Sequence, residues 1–174
     1  MNKIEKEEID NSKIEKKDNL GLTYEEFVNR LNESQKTVLF LKEYIESKGL
    51  RAYAPELVVT PNAESRGDYS DEVDLVFWRK NGNEVRVEVK QFSIDFTTKN
   101  FRYNEIIVNS LPGYETKKIK PDLHIILSKN KEYAAVIDNS NIDKWELRQA
   151  FDKVKKRDLY FYFLKKEYIN FIQL

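Results

Sequence analysis

The chain has 174 residues with 30 basic and 30 acidic side chains, a single histidine and no cysteine. Those counts exclude a disulfide framework, a thiolate metal centre and paired-histidine zinc chemistry. Zero net charge excludes a protein held on nucleic acid by bulk electrostatics, and no apolar run reaches membrane-spanning length. With 40% hydrophobic and 13% aromatic residues the chain can still build a core. Its length fits one domain that buries roughly 70% of its unfolded surface.

Residues 1–20 alternate lysine with acid, and Lys3–Lys6 is weakly echoed by Lys13–Lys16. Without a sustained apolar stripe this segment is expected to be a mobile charged arm, with the folded domain spanning 21–174. It is too charged for a secretory signal, so an intracellular, cytoplasmic and soluble protein is expected. Thr23 and Glu26 form a capping-box pair that opens a helix, and Gly49 closes it. Phe27, Leu31, Val38, Leu41 and Ile45 recur at helical spacing as its core stripe. Val58–Thr60 reads as a strand. The polar stretch Glu64–Asp71 reads as a loop, where Arg66 can hold a phosphate and Tyr69 can stack on a base. Asp68 and Asp71 are rival acids in that loop, but a loop aims them less reproducibly than a strand would.

The most informative segment follows. Val73, Leu75 and Phe77 form one apolar set, and Val85, Val87 and Val89 form another. Alternate strand residues share a face, so facing both sets to one core pairs Phe77 with Val85, Leu75 with Val87 and Val73 with Val89. That register needs a three-residue loop, Lys80–Gly82, with the glycine in the left-handed conformation. Asp74 then lies opposite Glu88, with Lys90 the next neighbour on the same face. Carboxylates facing each other across a strand pair are unfavourable unless a cation lies between them. The bland alternative is a solvated face of an amphipathic hairpin, with Lys90 as counter-charge. Gln91 alternates away from Lys90 and is left out of the set.

A second helix is expected after this strand, with Lys99 and Arg102 near it as phosphate contacts and Lys117, Lys118 and Lys120 beyond. Leu123–Leu127 and Tyr133–Ile137 read as strands around a turn. His124 faces away from Leu123 and Ile125, either as a structural group or near a metal. Asn141–Lys156 reads as a helix capped by Ser140. Leu159–Leu164 reads as an aromatic strand with Tyr168–Ile172 beside it, serving as core, dimer surface or stacking platform.

This order of elements, with Asp74 and then Glu88-Val89-Lys90 on adjacent strands, resembles the PD-(D/E)XK nuclease superfamily over roughly residues 23–138. The resemblance implies an α/β fold with a restriction-endonuclease-like core. A central mixed β-sheet would be flanked by α-helices, and the C-terminal helix and aromatic strand would be additions. Asp74 matches the first acid, Glu88 the second and Lys90 the lysine, while Val73 stands where the name has proline. Many members also carry a helix glutamate that completes the metal site. Its position falls here on apolar Val38 or Leu39, and Glu33 is the nearest acid flanking the core stripe.

The resemblance implies that Asp74, Glu88 and the Val89 carbonyl hold Mg²⁺, with Mn²⁺ able to substitute. Lys90 would orient or deprotonate a water, or stabilise developing charge. The implied activity is an endonuclease of restriction, homing or junction-cleaving type. It would act on duplex or branched DNA as a homodimer or as a subunit of a larger complex. An inactive nucleic-acid- or protein-binding module of the same fold is the alternative.

Overall fold

The computed structural model describes residues 23–59, 73–153 and 156–174. The N-terminal arm and the whole of the Glu64–Asp71 loop reading, including Arg66 and Tyr69, lie outside them. Helix α1 (Tyr24–Ser47) begins as the capping pair requires. Thr23 Oγ1 accepts from the Glu26 amide, and the Glu26 carboxylate accepts from the Thr23 amide. It ends at Gly49, whose φ of 77° lets its amide reach the Glu46 carbonyl while Leu50 reaches back to Ile45.

A six-stranded mixed sheet follows, in spatial order β1-β2-β3-β5-β6-β9. Its strands are β1 (Arg51–Tyr53), β2 (Leu75–Trp78), β3 (Glu84–Gln91), β5 (Leu123–Leu127), β6 (Tyr133–Asp138) and β9 (Asn170–Gln173). Among the described residues, β3 and β5 are its one parallel pair. One face buries Val85, Val87, Val89 and Leu75 against Val38, Leu41 and Ile45 of α1. The fold is therefore α/β with a central mixed sheet. Leu41 is 2% exposed and Leu39 is 42% exposed. Leu41→Ala is expected to cost about 3 kcal/mol, against roughly 0.5 kcal/mol or less for Leu39→Ala, as read by denaturant unfolding.

The opposite face of the sheet differs from the expected layer of helices. It is covered by a three-stranded antiparallel sheet in order β4-β8-β7, together with the five-residue helix α2 (Leu111–Glu115). These strands are β4 (Glu105–Ser110), β7 (Glu146–Asp152) and β8 (Arg157–Lys165). Between the layers lie Phe96, Phe101, Ile106, Tyr114, Ile126, Ile137, Trp145 and Leu164.

Four expectations are corrected. Val58 and Val59 are exposed coil, because the strand forms earlier at β1, where Ala52 faces the core. In place of the second helix, the chain runs as coil through Lys99 and Arg102 and then as β4 and short α2. The C-terminal helix is a 3-10 turn, Asn139–Lys144, capped by Asp138, followed by strand β7. Residues 146–152 favour a helix locally, but pairing along the whole of β7 with aromatic β8 overrides that preference. Finally, β9 pairs with β6, not with β8. A 3-10 turn at Lys166–Tyr168 redirects the chain, and small Ala134 and Ala135 oppose Ile172 and Phe171.

Candidate active site

The β2–β3 hairpin has the expected register, with Leu75 opposite Val87 and Phe77 opposite Val85. Its loop closes through Arg79 N–H to Asn83 O at 2.9 Å, with Gly82 at φ 84°. A side chain at that φ would be strained, so the glycine fixes the loop length and thereby the faces. Pairing stops at Leu75, and Asp74 stands one residue outside it. There its Oδ2 accepts from the Val89 amide at 2.7 Å, taking the place of a strand carbonyl. The N–H and C=O of one strand residue point to the same side. The Val89 carbonyl therefore also faces the Asp74 side.

Glu88 and Lys90 alternate with the apolar valines and so point away from α1, toward the second sheet. Parallel pairing sets Glu88 beside His124 and Lys90 beside Ile126. This face is enclosed, which corrects the reading of a solvated amphipathic hairpin. The Glu88 side chain is 15% exposed, and Lys117 reaches it with Nζ 2.8 Å from Oε2, its own side chain 14% exposed. The contact is electrostatic, because Oε2 has no aligned hydrogen bond. Lys90 Nζ donates to the Val108 carbonyl at 2.6 Å. That carbonyl belongs to a bulge, where β4 shifts register against β8 between Ile107 and Asn109.

Enclosure sets the electrostatics. Burial, and next the neighbouring Glu88 charge, push the Asp74 carboxyl up to about 6. The Val89 amide, Lys117 and Lys90 pull in the opposite direction. Burial likewise pushes the Lys90 ammonium below the usual lysine range, against the pull of Glu88 and Asp74. His124 falls to about 4, chiefly by burial and then by the charge of Lys90, so the ring is neutral at physiological pH. Its Nδ1 lies 2.8 Å from Asn139 Oδ1. Because the Asn139 amide nitrogen donates to Pro121 O, Oδ1 must accept, and the histidine proton sits on Nδ1. Nε2 is left as a buried acceptor without a partner.

Among the described residues, the buried side-chain atoms without a hydrogen-bond partner are Glu88 Oε2, Asn109 Nδ2, His124 Nε2 and Trp145 Nε1. All four lie between the two sheets. The His124 and Trp145 rings are 5.6 Å apart, and Asn109 adjoins the carbonyl that binds Lys90. Glu88 Oε2 is nonetheless ion-paired with Lys117, which leaves Asn109 Nδ2, His124 Nε2 and Trp145 Nε1 as the unsatisfied atoms. Buried polar groups are normally satisfied, so three such atoms beside the carboxylates mark where water or a ligand belongs. The donors present fit a hard divalent cation. They are the second oxygen of Asp74, the Glu88 carboxylate and the Val89 carbonyl. Mg²⁺ characteristically takes one or two carboxylates and keeps several waters. No group of three or more carboxylate or imidazole ligands occurs among the described residues, so a cation here would rely on that small set.

Asp74, Glu88 and Lys90 are thus gathered on one enclosed face. Glu33 is not. It sits on α1, which covers the other face of the sheet, and its side chain is 71% exposed and paired with Lys36 at 2.7 Å. Its position a turn before the buried part of α1 keeps it in solvent. Gln91 faces α1 and bonds to Thr37 and to the Lys129 carbonyl. Lys99 is exposed, and Arg102 is exposed and donates to its neighbour Tyr103 at 2.7 Å. Asn109 was not singled out by sequence, and Lys117 was expected only as one of several basic groups near a phosphate, not as the partner of Glu88. Lys117 stands in a run with Lys118 and Lys120, and nothing in composition tells which of the three turns inward.

No protein-family model and no curated protein matches this chain. Among solved structures, it is similar to the bacterial homing endonuclease I-Ssp6803I, at a TM-score of 0.37 and 15% identity. That similarity covers 66% of this chain and 67% of the other. A likeness so slight carries no argument about activity.

Proposed function

We propose that this chain is a divalent-metal-dependent endonuclease that hydrolyses DNA phosphodiester bonds. The observation that carries the reading is the convergence of Asp74, Glu88 and Lys90 on one enclosed face of adjacent strands. Structural residues alone would not favour two carboxylates here, since Asp74 stays ionised only against burial and the charge of Glu88. In this reading Asp74, Glu88 and the Val89 carbonyl hold Mg²⁺, and Mn²⁺ can replace it. The bound ion supplies Lewis acidity and an acidified water. The surrounding residues do the rest. Asp74 fixes the end of β3 through the Val89 amide. Lys90, anchored at the Val108 carbonyl, offers its remaining protons to an attacking water or to phosphate oxygens. The enclosing second sheet lowers the dielectric in which those charges act. Cutting both strands of a duplex needs two such sites, so a homodimer or a larger complex belongs to the proposal.

The test is incubation of supercoiled plasmid, linear duplex, single-stranded DNA, branched DNA and RNA with Mg²⁺ or Mn²⁺. Cleavage of a DNA substrate is expected, with Lys90→Ala slowing it about 10²–10⁴-fold. Cutting of RNA alone would move the substrate class. Cutting of nothing would favour the second reading, a binding module with a relic site. One observation favours that reading: the Lys117 ammonium already neutralises Glu88.

A further inference from the structure

Strand β8 lies between β4 and β7, but β4 pairs only with Phe161–Lys165. The first part of β8, Arg157–Tyr160, pairs with Gln149–Asp152 of β7 and with no other strand among the described residues. These four pairs form a two-stranded ribbon that extends past the sheet by about 13 Å at a strand's rise per residue. Isolated two-stranded ribbons are marginal in water. This one nevertheless exposes large apolar side chains, Phe151 at 61% and Tyr160 at 49%, and Leu147 just below it is 46% exposed. Leu147 opposes Tyr162 and Gln149 opposes Tyr160, so all three share the face on which Tyr162 packs against Trp145 and Tyr114. That face covers the candidate site. At the tip Lys153, Lys156 and Arg157 are exposed, and none has an ion-pair partner among the described residues. Asp152, opposite Arg157, and Asp158 lie in the same stretch, yet residues 152–158 hold four cations against these two acids, a net +2 in a chain of zero net charge.

We infer that the β7–β8 ribbon is a DNA-docking element that enters a groove of the duplex beside the site being cut. The inference rests on the nuclease reading. A two-stranded ribbon fits the major groove, which is about 12 Å wide and about 8.5 Å deep. Lys153, Lys156 and Arg157 then lie against the phosphate backbone. Phe151 and Tyr160 make apolar or stacking contact with the bases.

The test uses the full chain carrying Asp74→Asn, so that DNA is bound without being cut, and a fluorescent duplex titrated across a salt series. Replacing Lys153, Lys156 and Arg157 together by alanine is expected to lower the slope of log K against log salt by roughly two to three, at about 0.9 per phosphate contact. Phe151→Ser is expected to weaken binding roughly tenfold without changing that slope. The side chains are exposed, so thermal unfolding is expected to stay unchanged; Lys153→Glu alone carries the same test if the triple variant fails to fold. A normal slope in the triple variant, with duplex still bound, overturns the ribbon and leaves the nuclease reading standing. Affinity unchanged in Phe151→Ser overturns the apolar contact. No duplex binding by the Asp74→Asn parent or by the unsubstituted chain, even at low salt, overturns both readings.

Discussion

Asp74→Asn is expected to abolish metal-dependent cleavage and, in the same metal-free protein, to raise stability. The two effects have one cause. Asparagine keeps the shape and the oxygen that accepts from the Val89 amide at 2.7 Å. What it removes is a charge that burial and Glu88 disfavour. In the fold the Asp74 pKa is about 6, above its ordinary 3.8, so the folded protein holds that proton more tightly than the unfolded chain. The stabilisation from the raised pKa is therefore fully present below about pH 4, and is lost as pH rises through about 6. Above that pH the ionised carboxylate costs on the order of 2–3 kcal/mol. Asp74→Asn is expected to recover on the order of 1–3 kcal/mol at pH 7.5, and roughly half as much at pH 5. Thermal unfolding at the two pH values, with chelator, checks the sign. A functional carboxylate kept at a cost to stability gives this pattern; a carboxylate that serves only the fold gives the reverse.

Lys117→Met is expected to have the second large effect, and it separates a metal site from a plain ion pair. Lys117 and Glu88 are both about 85% enclosed and lie 2.8 Å apart. Removing one partner of an enclosed pair leaves the other charge uncompensated, at about 3 kcal/mol or more. If the ammonium stands where a divalent cation would otherwise neutralise Glu88, then Mg²⁺ or Mn²⁺ will restore what the substitution removes. Saturating cation at about 100 times its dissociation constant returns roughly 2.7 kcal/mol. The variant's melting temperature is thus expected to rise with divalent cation more steeply than that of the parent, and its affinity for the ion to be higher. Melting that ignores divalent cations in both proteins would reduce Lys117–Glu88 to a structural ion pair.

The sequence carried the hairpin because its chemistry is local. Two apolar sets of period two admit one register, and Gly82 supplies the positive φ that the three-residue loop requires. The same holds for α1, whose ends are written in Thr23, Glu26 and Gly49. The strands β5 and β6 were legible as apolar runs bounded by a polar turn. What could not be read depends on distant pairing. Residues 146–152 have helix-forming side chains and become a strand only because aromatic β8 is available to pair. The face bearing Glu88 and Lys90 has polar alternation and would pass for a solvated surface. The three-stranded sheet of β4, β7 and β8, with α2, folds over it and encloses it. Lys117 enters the site for the same reason: α2 turns the chain back across the sheet, and no local signal distinguishes it from Lys118.

Calorimetric titration of Mn²⁺ into the full chain at pH 7.5, repeated on the Asp74→Asn, Glu88→Gln double variant, addresses the paired carboxylates themselves. The expected result is a saturable binding event in the parent that disappears in the double variant, with both proteins folded. Identical heats in the two proteins would mean that these oxygens hold no metal, and the proposed chemistry would have no centre.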